Sequence, residues 1–212
     1  MNQQVREEIA TELLGAYQSR EPVEPLTGRY PALDLDDAYE IQLLQVGQWR
    51  ADGARVKGHK VGLTSAAMQR PMGVDTPDFG VLLDSMFVAE GVTCDITRFL
   101  QPRAEPEIAF VLGKPLAGPG VTTAEAVAAI DFVLPALELI DSRIADWKIT
   151  LPDTIADNGS SGGLVLGSQA GEAREPGPVA DGMPAAPQRP ARRHRRGRRR
   201  ARRVPSASTT SA

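Results

Sequence analysis

Val5, Ile9, Leu13 and Tyr17 recur every fourth residue with charged positions between them, the spacing of an amphipathic surface helix with one stripe turned inward. After a Pro-rich link, EPVEPLTGRYPALDL, a second helix is predicted. Asp36 and Asp37 would cap it, Tyr39, Ile41, Leu43, Leu44 and Val46 would face inward, and Gly53 would stop it. Beyond Gly53 the pattern changes. Short apolar runs cut by Gly and Pro, namely ARVKGHKVGL, FGVLLDSMFV, EIAFVLG, DFVLPALELI and GGLVLGS, predict strands. Among them TTAEAVAAI carries the spacing of a capping box from Thr122 to Glu125 and predicts one short helix. Helices followed by mostly strands favour an α+β domain over a doubly wound α/β fold, and no repeat is visible.

The strand texture ends near Ser168, dividing the chain into a body, 1–168, and a tail, 169–212. The tail has almost no large apolar side chain and holds eleven arginines against three acids, a net of +8; the whole chain nets −3, so the body stands at −11. Such a tail cannot bury enough surface to offset roughly 1–2 kcal/mol of backbone entropy per residue, and disorder is expected. One reading is a basic arm for nucleic acid or an acidic membrane. The other is out-of-frame translation of GC-rich DNA, which yields Arg, Pro, Ala, Gly and Ser. The abrupt change after GGLVLGS favours the second, so nucleic acid is not the expected partner.

The body, in a chain that is 42% hydrophobic, is expected to hold one core. No apolar window is long enough to span a bilayer, and the acidic start MNQQVREEIATELL does not have the form of a signal peptide, so a cytoplasmic location is expected. A lone Cys94 forms no internal disulfide, and with only His59 and His194 there is no Cys/His zinc cluster. Any metal would have to be held by oxygen.

Glu105 and Glu107 begin an otherwise apolar strand, and alternation puts both on one face. Two like charges about 4 Å apart repel by about 4 kcal/mol at an effective dielectric of about 20, so a buried pair needs a proton or a cation. A solvated strand entrance would serve equally well for these two alone. Glu138, flanked by Leu137 and Leu139 in the most apolar run of the chain, changes that balance, because a lone charge there is costly unless paired. Three converging carboxylates would suit Mg²⁺ or Mn²⁺ with open, water-filled positions.

Lys60 lies in a strand with glycines on both sides, where backbone can approach a ligand closely; drawn into a pocket it would suit proton transfer or an anionic substrate, and at a strand edge it would be an ordinary surface lysine. DTIADNGSSGG is a polar, glycine-rich turn that places Asp157, Asn158, Ser160 and Ser161 before a strand, a form suited to hydrogen-bonding a small anion. His59, Cys94 and the Trp147 region read as structural.

In order, GHKVGLTS, MGVDTPDFGVLLDSM, LQPRAEPEIAFVL, VLPALELIDSRIADWKI and DTIADNGSSGGLVLG resemble the 2-hydroxypenta-2,4-dienoate (2-keto-4-pentenoate) hydratase family. That family belongs to the fumarylacetoacetate hydrolase superfamily and acts in meta-cleavage degradation of aromatic compounds. The resemblance runs from the first helix to about Ser168. It implies N-terminal helices followed by a mixed β-roll or sandwich core, incomplete at the C-terminus. It also implies Glu105, Glu107 and Glu138 as ligands of Mg²⁺ or Mn²⁺, Lys60 in proton transfer or carboxylate binding, and Asp78, Asn158 and Ser160 as pocket-lining residues, with Lys60 and Asp78 the candidates for moving protons.

The implied reaction is metal-assisted ketonisation of 2-hydroxypenta-2,4-dienoate, a small 2-oxo acid precursor, followed by addition of water at C4 to give 4-hydroxy-2-oxopentanoate. A homo-oligomer is implied as well, and contact with a pathway decarboxylase or aldolase belongs to an interaction-protein reading. The nearest rival is a metal-dependent decarboxylase of 2-oxo-3-hexenedioate on the same scaffold. A rival of another class is a non-catalytic interaction protein with a basic arm. Family members continue past GGLVLGS with further strands that residues 169–212 do not resemble, so part of the core surface is expected to be left uncovered. Restoring the reading frame near codon 168 is expected to reveal a family-like continuation; a nucleotide sequence that encodes none refutes the out-of-frame reading.

Overall fold

A computed structural model describes residues 1–172, and the arginine-rich stretch predicted to be disordered falls outside the described residues. The stripe of four-spaced residues forms helix α1, Gln3–Ser19, with Ile9 and Leu13 fully buried and the Asn2 side chain accepting the Val5 N–H at its start. A four-residue helix, α2, Leu26–Arg29, interrupts the Pro-rich link. The second long helix is α3, Leu35–Ala51, and its cap is Asp34, whose side chain accepts the Asp37 N–H. Asp36 and Asp37, expected to cap, lie in the first turn instead. Asp37 is buried there and receives the Met1 ammonium at 2.9 Å and Arg6 at 2.7 Å.

Leu43, expected to face inward, is exposed, and Gln42 and Gln45 are buried on the inner face. The reason lies in α6, Leu151–Ala156, whose last carbonyls have no helical donors. Gln42 Nε2 donates to Ile155 O at 3.0 Å and to Phe79 O at 2.8 Å, and Gln45 Nε2 donates to Ala156 O at 2.6 Å. Ile9, Leu13, Leu26, Ile41, Ile144 and Ile155 form the apolar cluster among these helices.

Strands β1, Val56–Gly62, and β2, Asp78–Leu83, pair antiparallel, with helix α4, Ala66–Met72, in their connection. FGVLLDSMFV is broken by a turn at Asp84–Met86, and its second part is β3, Phe87–Val88, in another sheet. That sheet runs β3, β6 (Ser161–Leu166), β5 (Ile130–Ile140), β4 (Arg103–Leu112), and β7, Gly171–Glu172, pairs the far end of β5. β7 thus begins inside the stretch assigned to the tail. Helix α5, Thr123–Ala129, has its capping box: Glu125 N donates to Thr122 Oγ1 at 3.2 Å, and Thr122 N donates to Glu125 Oε2 at 2.8 Å. Val46, Val81, Leu83, Met86 and Leu164 form a second apolar cluster. On the opposite face of β4, Ile108 and Phe110 stand 63% and 61% exposed, so among the described residues that apolar face is uncovered.

The β1–β2 hairpin lies tight against the turn Asn158–Ser160. A Cβ on Gly80 would fall 2.5 Å from Asn158 O and 2.9 Å from Lys60 Cγ, so only glycine lets the two backbones meet. Gly80→Ala is therefore expected to lower stability by about 2 kcal/mol or more, while Gly58→Ala, with open space around it, stays within about 0.5 kcal/mol; urea denaturation of both variants checks this.

Candidate metal centre beside a half-buried lysine

Antiparallel register sets Glu105 on β4 directly opposite Glu138 on β5, and Glu107 opposite the small Ala136. Period-two alternation then puts the three carboxylates on one face, and an oxygen from each lies within 4.8 Å of the others. Glu138 is 5% exposed, Glu105 is half-buried and Glu107 faces solvent. The start of β4 is anchored by Asp141, whose carboxylate accepts Leu100 N at 3.0 Å and Gln101 N at 2.7 Å. Trp147 Nε1 donates to Gln101 O at 3.1 Å, and the Arg103 guanidinium sits 4.2 Å over the Trp147 ring. The Trp147 region thus clamps the strand that carries the glutamates.

Lys60 points inward from β1, with His59 and Val61 outward. Its Nζ donates to Gly159 O at 2.8 Å and stands 3.5 Å from Glu138 Oε1, which is an ion pair but too long for a good hydrogen bond. Glu138 Oε1 is therefore buried without a hydrogen-bond partner. Burial pushes the Glu138 carboxyl above the usual range, Lys60 pulls it back, and Glu105 and Glu107 push it up again. A buried, unpartnered oxygen facing two further carboxylates is a donor set for a hard cation. Ligand oxygens around one such ion at about 2.1 Å span about 4 Å, close to the separation seen here.

Asp78 begins β2, paired with Gly62, and its Oδ1 is also buried without a partner. Burial pushes its carboxyl up and the Lys60 charge opposes that. Lys60 therefore stands between two buried carboxyl groups.

Asn158 and Ser160, expected to line the pocket, are buried with their side chains committed internally. Asn158 Oδ1 accepts Val81 N at 2.7 Å and its Nδ2 donates to Val81 O at 2.9 Å. Ser160 Oγ donates to Asp157 Oδ2 at 3.1 Å and lies 3.3 Å from Thr154 Oγ1. The structure thus gathers Glu105, Glu107, Glu138 and Lys60, sets Asp78 within reach of the Lys60 charge, and puts Asn158 and Ser160 in the buried wall formed by the turn whose Gly159 carbonyl bonds Lys60.

Sequence reasoning passed over Arg143, which is fully buried and bonded through Nε to Asp157 Oδ1 at 2.5 Å. The signal available was an arginine within three residues of the end of the most apolar strand, in IDSRI.

No protein-family profile matches the chain. It is 47% identical over 184 residues to the 2-hydroxypent-2,4-dienoate hydratase of Pseudomonas putida, covering 86% of this chain and 83% of that protein. It is 47% identical over 168 residues to the 2-keto-4-pentenoate hydratase of Paraburkholderia xenovorans (strain LB400), covering 79% of this chain and 62% of that one. Among solved structures, the 4-oxalocrotonate decarboxylase from Pseudomonas putida G7, complexed with magnesium and adipate, superposes with a TM-score of 0.78 at 32% identity. That match covers 81% of this chain and 65% of the decarboxylase, so the chain spans about two thirds of the decarboxylase and of the Paraburkholderia relative.

Because burial raises the Glu138 carboxyl in the native chain, Glu138's own contribution to stability is present below the ordinary glutamate range and is lost as pH rises through and above it. Glu105→Gln removes one of the repelling charges. Without added metal it is expected to stabilise the protein by about 1 kcal/mol at neutral pH, with the difference vanishing on acidification. Thermal denaturation across pH checks it, and a less stable variant at pH 7 would contradict the reading.

Proposed function

This chain belongs to the 2-keto-4-pentenoate hydratase family, and from that premise we propose that it hydrates 2-hydroxypenta-2,4-dienoate to 4-hydroxy-2-oxopentanoate, a hydro-lyase step in aromatic meta-cleavage, with Mg²⁺ or Mn²⁺ held by Glu105, Glu107 and Glu138. The observation that carries the proposal is the meeting of these carboxylates within 4.8 Å around an oxygen of Glu138 that has no hydrogen-bond partner. When bound, the cation supplies Lewis-acid polarisation of the substrate carboxylate and 2-oxygen.

The chain's own groups handle the protons. Asp78, whose carboxyl is pushed up by burial, delivers a proton to C5 and the 2-hydroxyl proton returns Asp78 to its acid form, which leaves a C3–C4 double bond conjugated with the ketone. Lys60 spends one N–H on Gly159 O, and its remaining donors face the substrate oxygen and the incoming water. Water then adds at C4, C3 takes the Asp78 proton, and the proton that the water loses restores Asp78. Asn158 and Ser160 act through the wall they hold. No helix among the described residues is long and apolar enough to cross a membrane, and we place the reaction in the cytoplasm. The magnesium and dicarboxylate on the related decarboxylase scaffold support an acid substrate beside a divalent ion. Identity of 47% to hydratases against 32% to that decarboxylase favours hydration over decarboxylation.

The test is Mn²⁺-dependent loss of dienoate absorbance by the full chain, with CO₂ release followed in parallel. Glu107→Gln, with its fold intact by circular dichroism, is expected to lower kcat/KM by about 100-fold or more. Full activity in that variant or in the presence of a chelator contradicts the proposal, and stoichiometric CO₂ would assign the decarboxylase reaction instead.

A further inference from the structure

Asn158, Gly159 and Ser160 have φ angles of 54°, 60° and 52°, three left-handed residues in succession, two of them not glycine. A side chain in that conformation costs about 1–2 kcal/mol, and such a run persists only where its surroundings over-determine it. Here they do. Arg143 bonds the backbone on both sides of the turn, through its NH2 group to Asp157 O at 2.8 Å and its NH1 group to Ser161 O at 3.0 Å. The Asp157 carboxylate takes Arg143 Nε, Arg143 N and the hydroxyls of Ser142 and Ser160. The guanidinium lies 4.1 Å over the Tyr17 ring, and the Asn158 side chain ties the turn to both backbone groups of Val81.

This effort ends at one atom. The Gly159 carbonyl is aimed at Lys60 Nζ and takes it at 2.8 Å, while the nearby Glu138 Oε1 is left at 3.5 Å. An ammonium bond to a carboxylate, in which both partners are ionised, closes to about 2.8 Å and is stronger than an ammonium bond to a neutral carbonyl. An unrestrained ammonium would close on the carboxylate and occupy its free oxygen.

Resting on the metal reading above, we propose that the Arg143–Asp157 pair and the left-handed turn it fixes are a positioning device. The Gly159 carbonyl tethers Lys60 away from Glu138, so that the three carboxylates stay open to a divalent cation. Gly159 suits this place for a second reason: a Cβ there would press on Lys60 Cε and Gly80 Cα, each at 3.3 Å.

The experiment is calorimetric titration of the full chain with Mn²⁺, comparing Asp157→Asn and Gly159→Ala, each with and without Lys60→Met. Each turn variant alone is expected to weaken Mn²⁺ binding about tenfold, and in the Lys60→Met background to change it by less than about twofold, because no amine remains to close on Glu138. Equal losses in both backgrounds, or no loss in either, overturn the positioning role and leave the metal reading standing. Absence of Mn²⁺ binding by the unsubstituted chain overturns both. Asp157→Asn leaves the buried Arg143 without its counter-charge and risks unfolding, in which case Gly159→Ala, a single added methyl group, decides the outcome.

Discussion

Two glutamates set directly opposite each other across an antiparallel strand pair, with a third two residues along one strand and diagonal to the other, form an arrangement that sheets ordinarily avoid, since like charges facing across strands destabilise the pairing. Here the sheet holds Glu105 against Glu138, and it does so where Glu138 is buried and one of its oxygens has no hydrogen-bond donor. The repulsion is relieved by a proton on Glu138, by the Lys60 ammonium at 3.5 Å, or by a shared cation. Burial favours the first of these, while the Gly159 carbonyl, which takes Lys60 Nζ at 2.8 Å, leaves the second incomplete.

The surrounding architecture has two anchors at the same end of β5. Asp141 takes the backbone N–H groups that lead into β4 and so fixes the register in which the glutamates meet. Two residues on, Arg143 is sunk among Asp157, Ser161 and Tyr17 and fixes the turn that carries the Gly159 carbonyl to Lys60. Gln42 and Gln45 of α3 close the end of α6 immediately before that turn, which joins the helical layer to the site. One short stretch, Asp141 to Arg143, thus sets both the carboxylates and the lysine that faces them.

The alternation of Glu105 and Glu107 and the anomaly of Glu138 in an apolar run were legible because they depend only on local periodicity and on the cost of burying charge. The two long helices were legible for the same reason. The exact partner across the sheet is a matter of register, which depends on anchors such as Asp141 that no local pattern marks. Asp34 displaced Asp36 and Asp37 as the cap of α3 because Asp37 is taken by Met1 and Arg6 from a distant segment. Asn158 and Ser160 carry the chemistry of an anion-binding turn, yet the left-handed backbone and full burial commit their side chains inward. Handedness of a turn and the burial of its side chains are set by tertiary contacts, and composition alone points the other way.

The most direct measurement is anomalous scattering from crystals of the full chain grown with Mn²⁺. A single strong peak bonded to carboxylate oxygens of Glu105, Glu107 and Glu138 is the predicted result. Density showing Lys60 Nζ closed on Glu138 with no ion among the three carboxylates, at saturating Mn²⁺ and neutral pH, would contradict it.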